Sequence, residues 1–425
     1  MKSKFLVSVL FLLFFSACAT NPNQQNQQNQ QNQQNQQNQQ TQTTQKFNRQ
    51  WKKISWQDLP NWKEATQNDH NLQQSWDAFL LSCKAWKNNQ KLNQWKTWQN
   101  ICNNAQNLAI SNNKNNKEII EFFENNLSAY EVINANNPND YGTLTGYYEP
   151  LLYGSLTKTN RYKYAIYGEP ENLLTIDFAD LFDIYPELKN KRLRGRLDKN
   201  SKKILPYWDR QQLAEFEKEK NQNFANTGKP LLFVDDDVAL FFLQIQGSGR
   251  IKLENGDFVR ISYANQNGRE YKSIGRILVK NNELPLSQAS MQGIKQWIKN
   301  NPSKKQWLFN QNPSFVFFKI SKELSANDGA IGSLGIPLTA ERSIAIDPRA
   351  IPLGTPIFMN TQIANKEINR LVMAQDTGGA IKGEIRADLF CGFGDKAGEL
   401  AGSMNQKLKL WALFPKDLTT EQLPK

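Results

Sequence analysis

The sequence has little histidine and cysteine, with one His and four Cys in 425 residues. A zinc site that uses histidine needs several imidazoles, and an all-cysteine site needs clustered thiols, so neither is expected. A Ser-His-Asp triad would depend on His70 alone, which lies in an Asn-, Gln- and Trp-rich stretch without a nucleophile motif. An enzyme of this composition must therefore use carboxylates, hydroxyls or lysines for its chemistry.

The remaining composition is that of a globular protein. Hydrophobic residues make up 39% and aromatic residues 11% of the chain, which excludes a wholly disordered protein. At roughly 150 residues per domain, the length allows two or three domains. The net charge of +12 is compatible with an acidic polymer as a partner, and on charge alone this includes nucleic acid; basic residues spread over a solvated surface would also account for it.

The N-terminus has the pattern of an export signal. Lys2 and Lys4 precede an apolar run from Phe5 to Phe15, which is too short to span a bilayer. Ser16-Ala17 before Cys18 resembles a bacterial lipoprotein signal, which predicts a signal peptide over residues 1–17 and a lipidated Cys18. An ordinary secretory signal with an incidental cysteine is the alternative. Ala19 is a residue type that lipoproteins of the outer membrane carry at this position.

A low-complexity tract follows the signal. Residues 21–45 contain only Asn, Gln, Thr and Pro, so they have no apolar surface to bury. We expect residues 18–50 to form the lipid anchor and a disordered tether, whose low-complexity part reaches about 30 Å.

Between Trp51 and about Ile133 the apolar residues recur at helical spacing. Three stripes share this period: Leu72, Trp76, Phe79, Leu80, Cys83 and Trp86; Trp95, Trp98, Ile101, Cys102, Ala105 and Leu108; and Ile119, Ile120, Phe122, Phe123 and Leu127. This spacing indicates a helical core rather than Trp platforms for sugars. Cys83 and Cys102 fall on two buried faces, where a disulfide or two free thiols would fit, and Cys391 is expected to be buried and inert.

After about Asn139 the pattern changes to short β-branched and aromatic runs separated by Gly, Asn and Pro. The predicted strands are Tyr162–Ile166, Phe258–Tyr263, Phe315–Ile320, Pro356–Met359 and Leu371–Gln375, and one helix is predicted at Ser287–Lys299. Many short strands with turn signals are typical of a barrel or a sandwich.

Three segments combine polar residues with glycines, which let a backbone approach a ligand: Leu144–Pro150, Leu243–Arg250 and Ala374–Phe390. The second lacks the Gly-Lys-Ser/Thr ending of a P-loop, and Ser248 lacks the Ser-x-x-Lys pattern of an activated nucleophile. Asp235–Asp237 lacks the spaced ligands of a calcium loop and is interpreted as a solvated turn.

The third segment offers carboxylates near the end of a strand. Asp388 stands between Ala387 and Leu389, and burial there would raise its pKa so that it holds a proton near neutral pH, as a general acid requires. Asp376 precedes Thr-Gly-Gly, and Asp347 precedes a proline. Each aspartate taken alone is also explained as a turn or cap carboxylate.

Taken together, these segments resemble the membrane-bound lytic murein transglycosylase A family. Its motifs occur in order over about residues 140–410: LTGYYEP (144–150), IQGSG (245–249), YANQNGREYKSIGR (263–276), NPSFVFF (312–318), GIPLT (335–339), AQDTGGAIKGEIRADLF (374–390) and AGELAGSM (397–404). The C-terminal part is also similar to the 3D domain, named for three aspartates that here would be Asp347, Asp376 and Asp388.

The resemblance implies a mainly β fold with N-terminal helices. A double-psi β-barrel domain would comprise a helical N-terminal part, residues 51–150, and a C-terminal catalytic part, residues 314–425. A second β-barrel-like domain, residues 151–313, would be inserted between them and form one wall of the substrate groove.

The family's activity is cleavage of the β-1,4 bond between N-acetylmuramic acid and N-acetylglucosamine without water, which leaves a 1,6-anhydro end. Carried over, the single acid/base is Asp388 and the supporting residue is Asp376. Substrate-binding residues would be Tyr147, Tyr148, Gln246, Gly247, Ser248, Gly249 and Lys382.

The resemblance implies no metal or organic cofactor and no nucleic acid. The expected partners are peptidoglycan glycan strands, outer-membrane lipid through acylated Cys18, and cell-wall synthesis or hydrolysis machinery, in the periplasm of a Gram-negative bacterium. Two alternatives stay open. One is a hydrolytic muramidase with Asp376 or Glu384 as second carboxylate. The other is a non-catalytic wall-binding lipoprotein.

Overall fold

The computed structural model describes residues 50–423 except 90–91, 111–114, 135–140, 182–183, 186–192, 220–227, 322–327 and 364–365. The predicted signal peptide, lipidated Cys18 and low-complexity tract lie outside the described residues. None of the described helices has the length and apolar character needed to cross a membrane. Asn48–Lys425 forms one compact unit.

The described residues contain ten α-helices and seventeen strands, besides several single-turn 3-10 helices. The helices are α1 (Trp62–Gln67), α2 (Leu72–Asn88), α3 (Trp95–Ile110), α4 (Asn116–Asn126), α5 (Arg210–Glu219), α6 (Asp237–Gln246), α7 (Ile274–Lys280), α8 (Met291–Asn300), α9 (Lys305–Asn310) and α10 (Gly394–Ser403). The strands are β1 (Gln50–Ile54), β2 (Leu127–Ile133), β3 (Gly142–Glu149), β4 (Leu151–Ser155), β5 (Tyr164–Tyr167), β6 (Leu174–Ile176), β7 (Leu193–Asp198), β8 (Lys203–Pro206), β9 (Pro230–Val234), β10 (Ser248–Leu253), β11 (Phe258–Gln266), β12 (Val316–Ser321), β13 (Ser343–Ile346), β14 (Pro356–Ile363), β15 (Lys366–Thr377), β16 (Arg386–Phe393) and β17 (Asn405–Pro415).

The N-terminal helices pack a largely aromatic core. Trp76, Trp86 and Trp98 are fully buried, which confirms that the tryptophan stripes belong to the core. A disulfide joins Cys83 of α2 to Cys102 of α3, whereas Cys391 is a buried free thiol. Both bonded cysteines lie on the buried faces that the helical period predicts.

The helical prediction is wrong at both ends of the 51–133 region, where β1 and β2 pair with each other. Trp51 packs edge-on against Phe414 of β17, with ring centroids 5.0 Å apart, and β2 pairs with β17 along Leu127–Glu131. Residues 127–133 form a strand because they pair with β17, which lies nearly three hundred positions away in the chain. The local spacing of apolar residues does not reveal such a distant partner.

Six strands of the largest sheet form a closed barrel. Its strands follow the order β17-β14-β15-β13-β16-β3, and the ring closes because β3 pairs with both β16 and β17. The pairs β13–β15 and β16–β3 are parallel, whereas β14 is antiparallel to both neighbours. The prediction of a mainly β chain with a barrel and N-terminal helices is confirmed at this level.

A second sheet has the order β12-β11-β10-β4-β9-β5, and its edge strands approach through a bridge between Gly168 and Phe318. The prediction of one helix in the β-rich part is wrong, because α5, α6, α7, α9 and α10 accompany the predicted α8. Helix α6 begins within Asp235–Asp237, the run interpreted as a solvated turn, and ends within Leu243–Arg250, one of the three glycine-containing segments. Asp236 caps this helix by accepting from the N–H groups of Val238 and Ala239, and Gly247, with φ of +81°, ends it.

The chain passes from the barrel to the second sheet at Pro150, between β3 and β4. Beside this junction the buried Glu149 carboxylate pairs with Arg250 at 2.8 Å and Arg260 at 3.3 Å. The Arg250 guanidinium also lies 3.9 Å from the centre of the Phe393 ring. These contacts hold β10 and β11 of the second sheet against the barrel, because a buried charge set of this kind is costly to separate.

Candidate active site

The barrel brings two aspartates into one row across neighbouring strands. In the register, Ala345 of β13 stands opposite Asp376 of β15 on one side and Asp388 of β16 on the other. Asp388 in turn stands opposite Thr145 of β3. Register partners project from the same face of a sheet, so the row of four residues presents both carboxylates on one side.

Asp388 is held by a short chain of hydrogen bonds. The Thr145 hydroxyl donates to Asp388 Oδ1 at 2.6 Å, and Arg386 Nη2 donates to that hydroxyl at 2.8 Å. Burial raises the pKa of Asp388 to about 6; the Thr145 bond and the Arg386 charge act to lower it, while the Asp376 charge raises it further. At pH 7 roughly one Asp388 carboxyl in ten is therefore protonated, far more than for an aspartate of ordinary pKa.

Asp376 has a different environment, in which hydrogen-bond donors surround the carboxylate. Oδ1 accepts from the Ser333 N–H, the Ser333 hydroxyl and the Thr377 N–H, each at 2.8 Å. Oδ2 accepts from the Tyr147 hydroxyl at 2.8 Å. Burial raises the pKa of Asp376, and these hydrogen bonds act against that rise. The group is arranged as a fixed acceptor.

The two adjacent tyrosines of β3 face opposite sides of the strand, as alternation requires. Tyr147 shares the carboxylate face and lies beside Phe390, with ring centroids 5.4 Å apart. Burial and the neighbouring Asp376 raise the pKa of Tyr147 well above its usual value. The Tyr148 side chain is buried on the other face, with its hydroxyl 3.6 Å from the sulfur of Met291.

The segment Gln246–Gly249 approaches the same strand from the second sheet. Gln246 Oε1 accepts from the backbone N–H of Tyr148 at 3.1 Å. A Cβ at Gly249 would lie 2.4 Å from Leu243 Cδ1, so the buried Leu243 side chain would have to move to admit one. The predicted site residues Gln246, Gly247, Ser248 and Gly249 thus lie next to β3, where α6 ends and β10 begins.

The remaining predicted residues lie around the turn between β15 and β16. Lys382 is exposed in this turn. Asp347 is buried and accepts hydrogen bonds from the Arg349 guanidinium at 2.6 Å and from the Gly383 N–H at 3.1 Å. Although burial acts to raise the pKa of Asp347, these bonds outweigh it and hold the pKa below its usual value. Asp347 therefore anchors the turn that carries Lys382.

Three residues of this cluster did not stand out in the sequence: Thr145, Ser333 and Arg386. Thr145 and Arg386 lie within segments already singled out, and Thr145 precedes Tyr147 by two positions, so reading that segment as a strand would have placed both on one face. Ser333 reaches Asp376 across 43 positions of chain, and no periodic pattern marks it.

Two family models match this chain. The "MltA specific insert domain" matches residues 143–319, and the "3D domain" matches residues 342–414. Over 308 residues the chain is 30% identical to the membrane-bound lytic murein transglycosylase A homolog of Buchnera aphidicola subsp. Schizaphis graminum, which covers 70% of this chain and 73% of the relative.

Solved structures are similar over nearly the whole described chain. The MltA crystal structure from Neisseria gonorrhoeae, in its monoclinic form, is 34% identical with a TM-score of 0.70, covering 88% of this chain and 94% of that one. The membrane-bound lytic murein transglycosylase of Agrobacterium tumefaciens is 26% identical with a TM-score of 0.70, covering 86% of this chain and 98% of that one.

Proposed function

The chain belongs to the membrane-bound lytic murein transglycosylase A family, and we propose that it is a peptidoglycan lytic transglycosylase with Asp388 as its acid/base. The bond cut is the β-1,4 linkage between N-acetylmuramic acid and N-acetylglucosamine, and the product carries a 1,6-anhydro-N-acetylmuramic acid end. The observation that supports this most is that Asp388, whose pKa burial raises to about 6, stands in one row with Asp376, whose carboxylate accepts four hydrogen bonds from the protein.

The reaction needs one group that gives a proton and takes one back. The Asp388 carboxyl gives its proton to the glycosidic oxygen as the bond from C1 to that oxygen breaks. The Asp388 carboxylate then takes the proton of the C6 hydroxyl of N-acetylmuramic acid, whose oxygen bonds to C1 and closes the anhydro ring. Asp388 ends protonated, no water is consumed, and the pKa of about 6 suits both halves of the cycle.

Asp376 acts in this proposal as a supporting residue. A hydrolase of the inverting kind needs a second carboxylate with a free lone pair to activate water. Ser333 and Thr377 direct three donors to Asp376 Oδ1, and Tyr147 directs one to Oδ2, so the protein holds this carboxylate in one position. We assign it a supporting role because these four hydrogen bonds orient it. Its negative charge instead favours the protonated form of Asp388 before the proton is transferred.

The groove is proposed to run between the barrel and the second sheet. Tyr147, the segment Gln246–Gly249 and the exposed Lys382 would line it, whereas Tyr148 would contribute through its backbone contact with Gln246. The mixed parallel and antiparallel closure of the barrel supports a double-psi topology. We propose a domain division into residues 51–150, 151–313 and 314–425. Strand β12 begins just beyond residue 313 but pairs with β11 of the second sheet.

The proposed location is the outer membrane, with the body facing the periplasm. The lipoprotein-like segment that ends at Cys18 and the low-complexity tract after it support this assignment, and relatives carry the name membrane-bound. Acylated Cys18 would hold the chain in the lipid layer, and the tether would let the body reach glycan strands about 30 Å away. Contacts with wall synthesis or hydrolysis machinery belong to the same proposal.

A digestion assay tests the activity. The chain from residue 46 onward contains the whole compact unit and lacks the acylated cysteine. Incubated with isolated murein sacculi, it should release soluble muropeptides. Sacculi that stay intact under conditions in which the chain is folded would overturn the proposal.

A further inference from the structure

A small three-stranded sheet, in the order β6-β7-β8, presents an apolar face to solvent. Leu193 and Leu197 of β7 lie on one side of the strand, and their register partners are Ile176 and Ile204. Leu193, Leu197 and Ile204 are each 52% exposed, and Leu174 of β6 on the same side is 36% exposed. We call Leu174, Leu193, Leu197 and Ile204 the outer sheet face.

The opposite side of this sheet is mostly polar, with Leu205 as the register partner of Arg196, and its two arginines contact the body of the protein. Arg194 Nε donates to Asn265 Oδ1 at 3.0 Å, and Arg196 lies 4.3 Å from the centre of the Trp208 ring. An antiparallel sheet with one solvated side normally turns its apolar residues inward and its polar residues outward. This sheet has the reverse arrangement, and contiguous exposed aliphatic residues of this kind mark an interaction surface.

The hairpin at the end of the outer sheet face is basic. Lys199, Lys202 and Lys203 are exposed in or beside the turn between β7 and β8. The one carboxylate of this hairpin, on Asp198, accepts from the Ser201 hydroxyl at 2.6 Å and from the Asn200 N–H at 3.2 Å. The surface therefore combines an aliphatic face with positive charge at its edge.

The aliphatic and basic character of this surface distinguishes between the molecules that could bind to it. Stacking on sugar rings needs aromatic side chains, and the outer sheet face consists of aliphatic ones. A second copy of the chain would bring together two proteins of net charge +12. An anionic phospholipid surface satisfies both features, because aliphatic groups enter the boundary between head groups and acyl chains while lysines pair with phosphates.

We propose that the outer sheet face docks on a bilayer that contains anionic phospholipid. This inference goes beyond the enzymatic proposal and does not depend on Asp388. It implies a second, reversible membrane contact besides the lipidated cysteine, and therefore a defined orientation of the body when it lies at the membrane surface.

A vesicle sedimentation assay tests the proposal with the chain from residue 46, which cannot be acylated at Cys18. The unmodified chain should sediment with vesicles of phosphatidylethanolamine and phosphatidylglycerol, and less with phosphatidylcholine alone. The double variant Leu197→Ser/Ile204→Ser should lower the partition coefficient roughly tenfold or more, since it removes two half-exposed aliphatic side chains. Replacement of Lys199, Lys202 and Lys203 by Gln should weaken binding to the anionic vesicles selectively.

The matched control is Ile110→Ser/Leu286→Ser, which removes two exposed aliphatic residues elsewhere, 78% and 77% exposed. It should bind as the unmodified chain does. The proposal is overturned if the unmodified chain does not bind anionic vesicles, or if the outer-face variant binds them as strongly as the control. A dimer in light scattering that only the outer-face variant dissociates, without vesicle binding, would assign the face to a second copy instead.

Discussion

The hydroxyl of Tyr147 donates a 2.8 Å hydrogen bond to Oδ2 of Asp376, and this bond links β3 to β15 across the two strands that lie between them. It supplies the donor for one carboxylate oxygen, while Ser333 and Thr377 supply the donors for the other. Asp376 therefore depends on Tyr147 for its fourth hydrogen bond. The negative charge of Asp376, held in this position, raises the pKa of Asp388.

Tyr147→Phe tests this relationship. The variant keeps the ring beside Phe390 and removes only the hydroxyl, so Asp376 Oδ2 loses its donor in a buried position. We expect the free energy of unfolding to fall by about 1–3 kcal/mol, the cost of an unpaired buried charged acceptor, and turnover to fall about tenfold. Urea denaturation and muropeptide release measure the two effects. Tyr153→Phe, at an exposed tyrosine, is the control, and equal behaviour of the two variants would contradict the assigned role.

Asp388→Asn tests the acid/base assignment. The amide preserves size and still accepts from Thr145, but it cannot transfer the proton. Turnover should fall by about 10²–10⁴-fold, the usual contribution of a general acid/base, while binding to sacculi persists. The matched control is Asp257→Asn in an exposed turn, which should leave turnover unchanged. Normal turnover by Asp388→Asn would remove this residue from the mechanism.

The same substitution has a second consequence, for stability. Because burial raises the pKa of Asp388 from 3.8 to about 6, the folded state binds this proton more tightly than the unfolded state. That contribution to stability is complete below about pH 3.8 and is lost as the pH rises through about 6. Asp388→Asn does not titrate, so its stability relative to the parent should be about 3 kcal/mol higher at neutral pH than below pH 3.8.

Urea denaturation at several pH values measures this difference. The gap between Asp388→Asn and the parent should widen as the pH rises from about 4 to 7 and then stay constant. A gap independent of pH would mean that Asp388 ionises at its ordinary pKa. Asp257→Asn, measured in the same way, shows the effect of an Asp-to-Asn exchange at an exposed position.

The disulfide gives a further prediction. Cys83 and Cys102 are separated by 19 positions, and closing a loop of that length stabilises the folded state by about 3 kcal/mol through the unfolded chain. Treatment with a reductant should lower the free energy of unfolding by that amount. Cys83→Ala/Cys102→Ala should lower it by about 2 kcal/mol more, because this variant also removes two buried sulfurs. Cys391→Ala is the control, with a cost of about 1 kcal/mol for the removed sulfur.

Reactivity distinguishes the third cysteine of the compact unit. Burial raises the pKa of Cys391 to about 12, so its thiol should resist alkylation in the folded protein. Rapid alkylation of Cys391 before unfolding would show that β16 opens near the site.

The disulfide prediction has its own contradicting outcome. If treatment with a reductant did not change the free energy of unfolding of the parent, the bond between Cys83 and Cys102 would contribute nothing to the stability of the fold.

The sequence predicts the helical core well because packing there is local. Trp76, Phe79 and Cys83 recur at the helical period along one segment, and their burial follows from that spacing alone. The strands β1 and β2 were missed because their partners are distant. Trp51 is fixed by Phe414, and Tyr130 by its pairing with Ala412, neither of which local spacing can reveal.

The candidate site also contains some residues that the sequence indicates and others that only the fold brings to it. The apolar flanks of Asp388 made it one of three candidate aspartates, and the family resemblance assigned it the acid/base role; in the structure, burial raises its pKa. Its hydrogen-bond partner Thr145 lies 243 positions away and meets it only through the parallel pairing of β3 with β16. Ser333 reaches Asp376 from a loop without regular structure, so neither period nor motif could identify it.

The account depends most on the absence of water from the reaction, and mass analysis of the released muropeptides tests this directly. Digestion of isolated sacculi by the chain from residue 46 should yield products ending in 1,6-anhydro-N-acetylmuramic acid. Their mass should be lower by one water molecule than the mass of the corresponding reducing-end products. Products with reducing N-acetylmuramic acid ends would show hydrolysis and would contradict the one-carboxyl mechanism at Asp388.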